Sequence, residues 1–177
     1  MSRLIPVHAV EDIPEAWRDT PTARLLEYHN LGRPLDRYDR AALLIGMCMD
    51  HRKQLRLPDQ FAYILRSGGA NLRPSEFKVS YAIAVGGVRD IALIAHTQCG
   101  MSGLAARREE FIAGLVDVGW KREEAERHFE RHAPEFEIGN EIDFVIAEAG
   151  RLRARYPAVS VTPLVYRVED SRLYLAG

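Results

Sequence analysis

Two cysteines and one histidine stand where they can do chemistry. Cys48 closes a short apolar run, and His96 and Cys99 follow another at His-x-x-Cys spacing. That spacing lets an imidazole and a thiol converge on one ion from a single turn. Thiolate and imidazole ligands favour zinc, and three protein ligands leave a fourth position open, which marks catalytic rather than structural sites. Two buried, inert cysteines and a core histidine fit the same spacing equally well. Asp50 and Arg52 follow Cys48 at alternate positions. In a chain leaving a strand they can face the cavity that Cys48 faces. The carboxylate can accept a hydrogen bond from a zinc-bound water, and the guanidinium keeps it ionised and aimed. The plainer fate of such a pair is a surface ion pair.

These residues need elements to hold them. Residues 41–48, 61–65 and 91–95 are short apolar runs between polar segments, the pattern of fully buried strands. Pro74-Ser75-Glu76 starts a helix over 77–85, and Gly86-Gly87 ends it. Buried strands alternating with helices predict an α/β fold with a mostly parallel central sheet flanked by helices and right-handed crossovers. Ligand sites in such sheets gather at the C-terminal ends of the strands, where Cys48 and His96 would both lie. A leading helix spans 14–30. Helices follow over 103–118, with Leu104, Phe111, Leu115 and Val116 as its apolar face, and over 121–132 and 137–156. Segments 159–168 and 173–175, joined by Glu169-Asp170-Ser171, read as a closing hairpin.

The chain of 177 residues carries a formal net charge of -1, which offers no electrostatic case for nucleic acid or an anionic membrane. With 47% hydrophobic and 28% charged residues it reads as one globular domain over 1–177. The first residues lack the apolar core of a signal peptide, and no apolar run approaches the roughly 18–20 residues that span a bilayer. A cytoplasmic location is expected, where a stable Cys48–Cys99 disulfide is disfavoured.

Taken in order, Cys48-Met49-Asp50-His51-Arg52, Arg66-Ser67-Gly68-Gly69 and His96-Thr97-Gln98-Cys99-Gly100-Met101 resemble the motifs of the β-class carbonic anhydrases, above all the short archaeal and bacterial type. The likeness runs from roughly residue 43 to 101 and continues weakly into Val165-Tyr166-Arg167-Val168. The resemblance implies one zinc ion (Zn2+) per chain, held by Cys48, His96 and Cys99, with Asp50 and Arg52 as a catalytic pair. It implies reversible hydration of carbon dioxide to bicarbonate. Ser67, Gly68, Gly69 and Gly100 would line the substrate pocket, although turn geometry alone also explains glycines there. It further implies a homodimer or a multiple of dimers, with the N-terminal helix packed on a partner subunit.

Three positions depart from the family pattern. His51 stands in place of a small residue, Ser67 in place of Asn, and Gln98 in place of Asp. They leave open a zinc protein without this activity, a sensor or scaffold; separately, a hydrolase of carbonyl sulfide or carbon disulfide on the same scaffold stays open, because access and pocket shape decide the substrate. His51 could shuttle protons or simply face solvent. His128 and His132, one helical turn apart, read as part of a solvated charged face rather than a second metal site.

Overall fold

The computed structural model describes residues 3–177. Its centre is a six-stranded sheet in the order β1-β6-β5-β4-β2-β3. The strands are β1 (Leu4–Pro6), β2 (Leu43–Met47), β3 (Ala62–Arg66), β4 (Asp90–His96), β5 (Ser160–Arg167) and β6 (Arg172–Ala176). The run β3-β2-β4-β5 is parallel, while β6 and β1 add on antiparallel. The predicted α/β class and mostly parallel sheet are therefore present, and β5 and β6 form the expected hairpin. The helices are α1 (Pro21–Leu31), α2 (Glu76–Ala84), α3 (Arg108–Asp117), α4 (Arg122–Phe136) and α5 (Glu141–Arg155).

Alternation along the strands divides the core in two. Leu43, Ile45 and Met47 of β2, with Ala92 and Ile94 of β4, face one side and meet Ala23, Leu25 and Leu26 of α1. Leu44 of β2, with Ile91, Leu93 and Ala95 of β4, faces the other and meets α2 and α5 through Val79, Ala82, Val145, Ala149 and Leu152. Gly46 sits mid-strand because a Cβ there would lie 2.7 Å from Leu72 and 2.8 Å from Leu93.

Several boundaries differ from the sequence reading. The leading helix begins at Pro21, not residue 14. Thr20 caps it by accepting from the Ala23 amide at 3.1 Å, and Pro21 takes the first helical position, where no amide donor is needed. Residues 15–17 form only a 3-10 turn. β1 is a three-residue strand, too short to carry a periodic signal in the sequence. The 103–118 segment divides into a 3-10 turn over 104–107 and α3, whose buried residue is Ile112, while Phe111 and Val116 remain exposed. α5 starts at Glu141 because Asn140 accepts from the amides of Ile142 and Asp143 at 3.0 and 3.1 Å.

The largest correction concerns 61–65. This run forms β3, but at the sheet edge, with Tyr63 41% and Ile64 45% exposed on opposite faces. An apolar run looks the same at an edge as at a centre. α1 buries Leu25 and Leu26 completely against its own chain's sheet, so these residues are not offered to a partner. Among the described residues, no helix is long and apolar enough to cross a membrane.

Candidate metal centre

Register delivers the ligands. Met47 pairs with Ile94, so Cys48, one step past β2, lies beside the end of β4, where His96 is the last strand residue. Cys99 returns to the same place through a tight turn in which Gln98 takes a positive φ of 58°. The ligand atoms of Cys48, His96 and Cys99 all lie within 4.8 Å of one another. Both thiols are free and buried, and His96 is 0% exposed.

The imidazole shows what the group is built for. Nδ1 lies 2.9 Å from the Thr97 carbonyl oxygen, which can only accept, so the hydrogen belongs on Nδ1 and the lone pair on Nε2. That Nε2 is buried and is the one buried side-chain polar atom without a hydrogen-bond partner among the described residues. Leaving such an atom unsatisfied costs about 1–3 kcal/mol. A metal ion bound between Nε2 and the two sulfurs removes that penalty, and the S/S/N donor set suits zinc. The two thiols are coupled: a hydrogen bond from Cys99 holds Cys48 far below the ordinary thiol range and pushes Cys99 above it. The Gly69 amide also donates to the Cys48 sulfur, at 3.3 Å.

Asp50 and Arg52 sit beside this group. Arg52 Nε donates to Asp50 Oδ1 at 3.1 Å and Nη2 to Oδ2 at 2.8 Å, a two-pronged pair. The Arg52 amide adds a third bond to Oδ1 at 2.9 Å. Arg52 therefore holds the Asp50 carboxyl well below the usual carboxylate range. Asp50 Oδ2 lies 4.0 Å from His96 Nε2, so the carboxylate faces the ligand cluster rather than open solvent.

Gln98, unusual in the motif, has a definite role here. Arg52 donates to its Oε1 at 3.2 Å and to its carbonyl at 2.9 Å. Its own Nε2 donates to Glu169 Oε1 at 2.9 Å, and Glu169 Oε2 accepts from Thr97 at 2.9 Å. Glu169 thus braces Gln98, Gln98 braces Arg52, and Arg52 orients Asp50. Glu169 was read from the sequence only as a turn residue.

The four pocket candidates separate. Gly68 lines an apolar cavity of about 270 Å³ with Met49, Met101, Phe111, Phe129 and Phe136. A Cβ on Gly68 would lie 2.9 Å from the Met101 sulfur. Gly69 backs the Cys48 sulfur. Ser67 donates its amide to the Met47 carbonyl at 2.9 Å, and Gly100 lies against the Arg107 guanidinium. His128 and His132 also border the cavity, and their rings lie 4.8 Å apart. His128 packs on Phe111 and Trp120 as well, so the helix face that carries the pair is more apolar than its charge pattern implied. His51 is exposed. Sequence reasoning passed over Lys53, which is only 4% exposed and whose Nζ donates to the Cys48 carbonyl at 2.9 Å. Burial pushes its pKa down to about 8. The one signal for it was its place directly after Arg52.

No protein-family model and no curated protein matches this sequence. Solved structures do match. A β-carbonic anhydrase from Trichomonas vaginalis superposes with a TM-score of 0.65 at 17% identity, covering 86% of this chain and 92% of that one. A carbonic anhydrase from Glaciozyma antarctica gives 0.60 at 20% identity, over 91% and 98%. The chain has the β-carbonic anhydrase fold. The apo form of a carbon disulfide hydrolase shares the β-carbonic anhydrase fold with this chain, at a TM-score of 0.55 and 21% identity over 90% of each.

Proposed function

We propose that the chain is a zinc-dependent carbonic anhydrase that interconverts carbon dioxide and bicarbonate, with Cys48, His96 and Cys99 as metal ligands. The observation that carries this reading is the bare, buried Nε2 of His96 facing two thiols, with an ionised Asp50 at 4.0 Å. A zinc ion with three protein ligands supplies hydroxide at neutral pH, because it lowers the pKa of bound water to about 7. Asp50, kept anionic by Arg52, can only accept a hydrogen bond. It therefore orients the O–H of the attacking oxygen so that a lone pair faces the carbon. Carbon dioxide and water give bicarbonate and one proton, and the proton leaves to buffer. The apolar cavity bordered by Gly68 and Met101 suits an uncharged substrate, whereas the Arg52–Gln98 side suits the departing anion.

A second reading, hydrolysis of carbon disulfide or carbonyl sulfide, draws support from that cavity. Its wall of Phe and Met side chains would accommodate a larger and more polarisable cumulene than carbon dioxide. The bracing of Arg52 by Gln98 weighs against a zinc protein without activity, because it preserves the geometry catalysis needs. The reading carries a cytoplasmic location and a homodimer or multiple of dimers with it.

Metal analysis and stopped-flow hydration of carbon dioxide test the proposal together. About one zinc per chain is expected, with turnover above the metal-free control and lost in Asp50→Ala. Zinc without turnover on carbon dioxide, but with sulfide release from carbon disulfide, selects the second reading. No zinc at all removes both.

A further inference from the structure

Lys53 is a buried charge that the proposed chemistry leaves unused. Removing an ammonium from water costs several kcal/mol unless an opposite charge compensates. Among the described residues no carboxylate forms an ion pair with Lys53; its one hydrogen bond goes to the Cys48 carbonyl. The carbonyl it reaches belongs to Cys48, whose sulfur lies within 4.8 Å of the Cys99 sulfur and of the His96 imidazole, with Asp50 next to that imidazole. Asp50 is already matched by the two-pronged Arg52, which leaves the two sulfurs. Charge counting then gives Lys53 a purpose. Two thiolates and a divalent ion sum to zero. An anion in the open fourth position makes the centre -1, and Lys53 returns it to neutrality within a buried region.

We propose that Lys53 is the counter-charge of the Cys48–His96–Cys99 centre, a positioning residue that favours metal capture by the thiolates and an anion at the open position. The inference rests on the zinc-centre reading above. Arg66 provides an internal comparison. Its Nη1 donates to the same Cys48 carbonyl at 3.3 Å, but the residue is exposed and its charge is screened by solvent. If the buried charge matters, Lys53 must outweigh Arg66. If hydrogen bonding to the carbonyl matters, the two must be alike.

The test is zinc affinity of the full chain at pH 7, by competition with a chromophoric chelator, for the wild type and for Lys53→Gln, Lys53→Met, Lys53→Arg and Arg66→Gln. Thermal melts of the apo proteins report folding separately. Lys53→Gln keeps a donor but loses the charge, and both it and Lys53→Met are expected to bind zinc about 10–100-fold more weakly. Lys53→Arg and Arg66→Gln are expected to stay within about fivefold of wild type. Wild-type affinity in Lys53→Gln would overturn the proposal. So would equal losses in Lys53→Gln and Arg66→Gln, which would assign the effect to the carbonyl bond, or equal losses in Lys53→Gln and Lys53→Arg, which would assign it to packing. If Lys53→Met does not fold, the Gln and Arg variants carry the comparison. A wild type that takes up no zinc means instead that the metal reading itself has failed.

Discussion

At the scale of residues, the centre is organised by what each group cannot do. Asp50 cannot be protonated under working conditions, because Arg52 holds its carboxyl far below neutrality. A carboxyl whose folded pKa is depressed contributes stability above its unfolded value, near 4, and loses it only as pH falls through the lower, folded value. The acid limb of activity should therefore report another group. Arg52 in turn cannot swing away while Gln98 and Glu169 brace it. Gln98→Ala is expected to lower kcat/KM by roughly 10–100-fold while zinc content stays at wild-type level. Stopped-flow rates and metal analysis on the same sample check both halves. His51, exposed to solvent, is expected to contribute nothing to proton export. Unchanged buffer dependence of turnover in His51→Ala would bear this out, and turnover that falls at low buffer and is restored by added buffer would reinstate the shuttle.

Among the elements, segment 48–61 carries Asp50, Arg52 and Lys53 without a helix or strand to stiffen it. It is latched instead. His29 of α1 is buried; its Nδ1 accepts from the Arg56 amide at 3.0 Å and its Nε2 donates to the Ser171 carbonyl at 3.0 Å. The Tyr166 hydroxyl accepts from the Gln54 amide at 3.4 Å. His29 packs against the Tyr166 ring and feels Arg56 and Arg172, with burial as the main cause that lowers its pKa. Only the neutral ring fits both bonds, since protonation would set an N–H against the Arg56 N–H. The unfolded chain binds this proton more readily, so stability is full above about pH 6.5 and falls as pH drops from there through the folded value. Thermal melts from pH 7.5 to 5 should show this decline in the wild type and less of it in His29→Asn. In β2, the Gly46→Val side chain has no room between Leu72 and Leu93, and overpacking of this kind costs about 1–3 kcal/mol. Chemical denaturation should show that loss.

For the whole molecule, the edge strand β3 and the neighbouring helix α2 leave apolar side chains exposed. Tyr63 and Ile64 of β3 are exposed, as are Phe77 and Tyr81 of α2 and Val85 just beyond it; Phe77 is 82% exposed, and Gly86 after α2 lies against the Tyr63 ring. An uncovered apolar edge strand invites pairing with another chain. The homodimer expected from the family resemblance would cover it. Sedimentation should give a dimer or larger assembly for the wild type and a shift toward monomer in an Ile64→Lys, Phe77→Glu double variant. A monomeric wild type would remove this expectation.

The sequence by itself determined the types of the longer strands and helices, the mostly parallel sheet and the identities of the three ligand candidates, because those follow from apolar periodicity and residue chemistry that act locally. It also flagged Gln98, but only as an oddity. Tertiary structure decided the rest. Whether the run at 61–65 is an edge or a centre depends on which strand lies beyond it. Whether Lys53 is solvated or buried depends on how a segment without regular structure folds over Cys48. Whether His96 Nε2 meets water or two sulfurs depends on the register of β2 against β4, and that register is set by packing on both faces of the sheet at once.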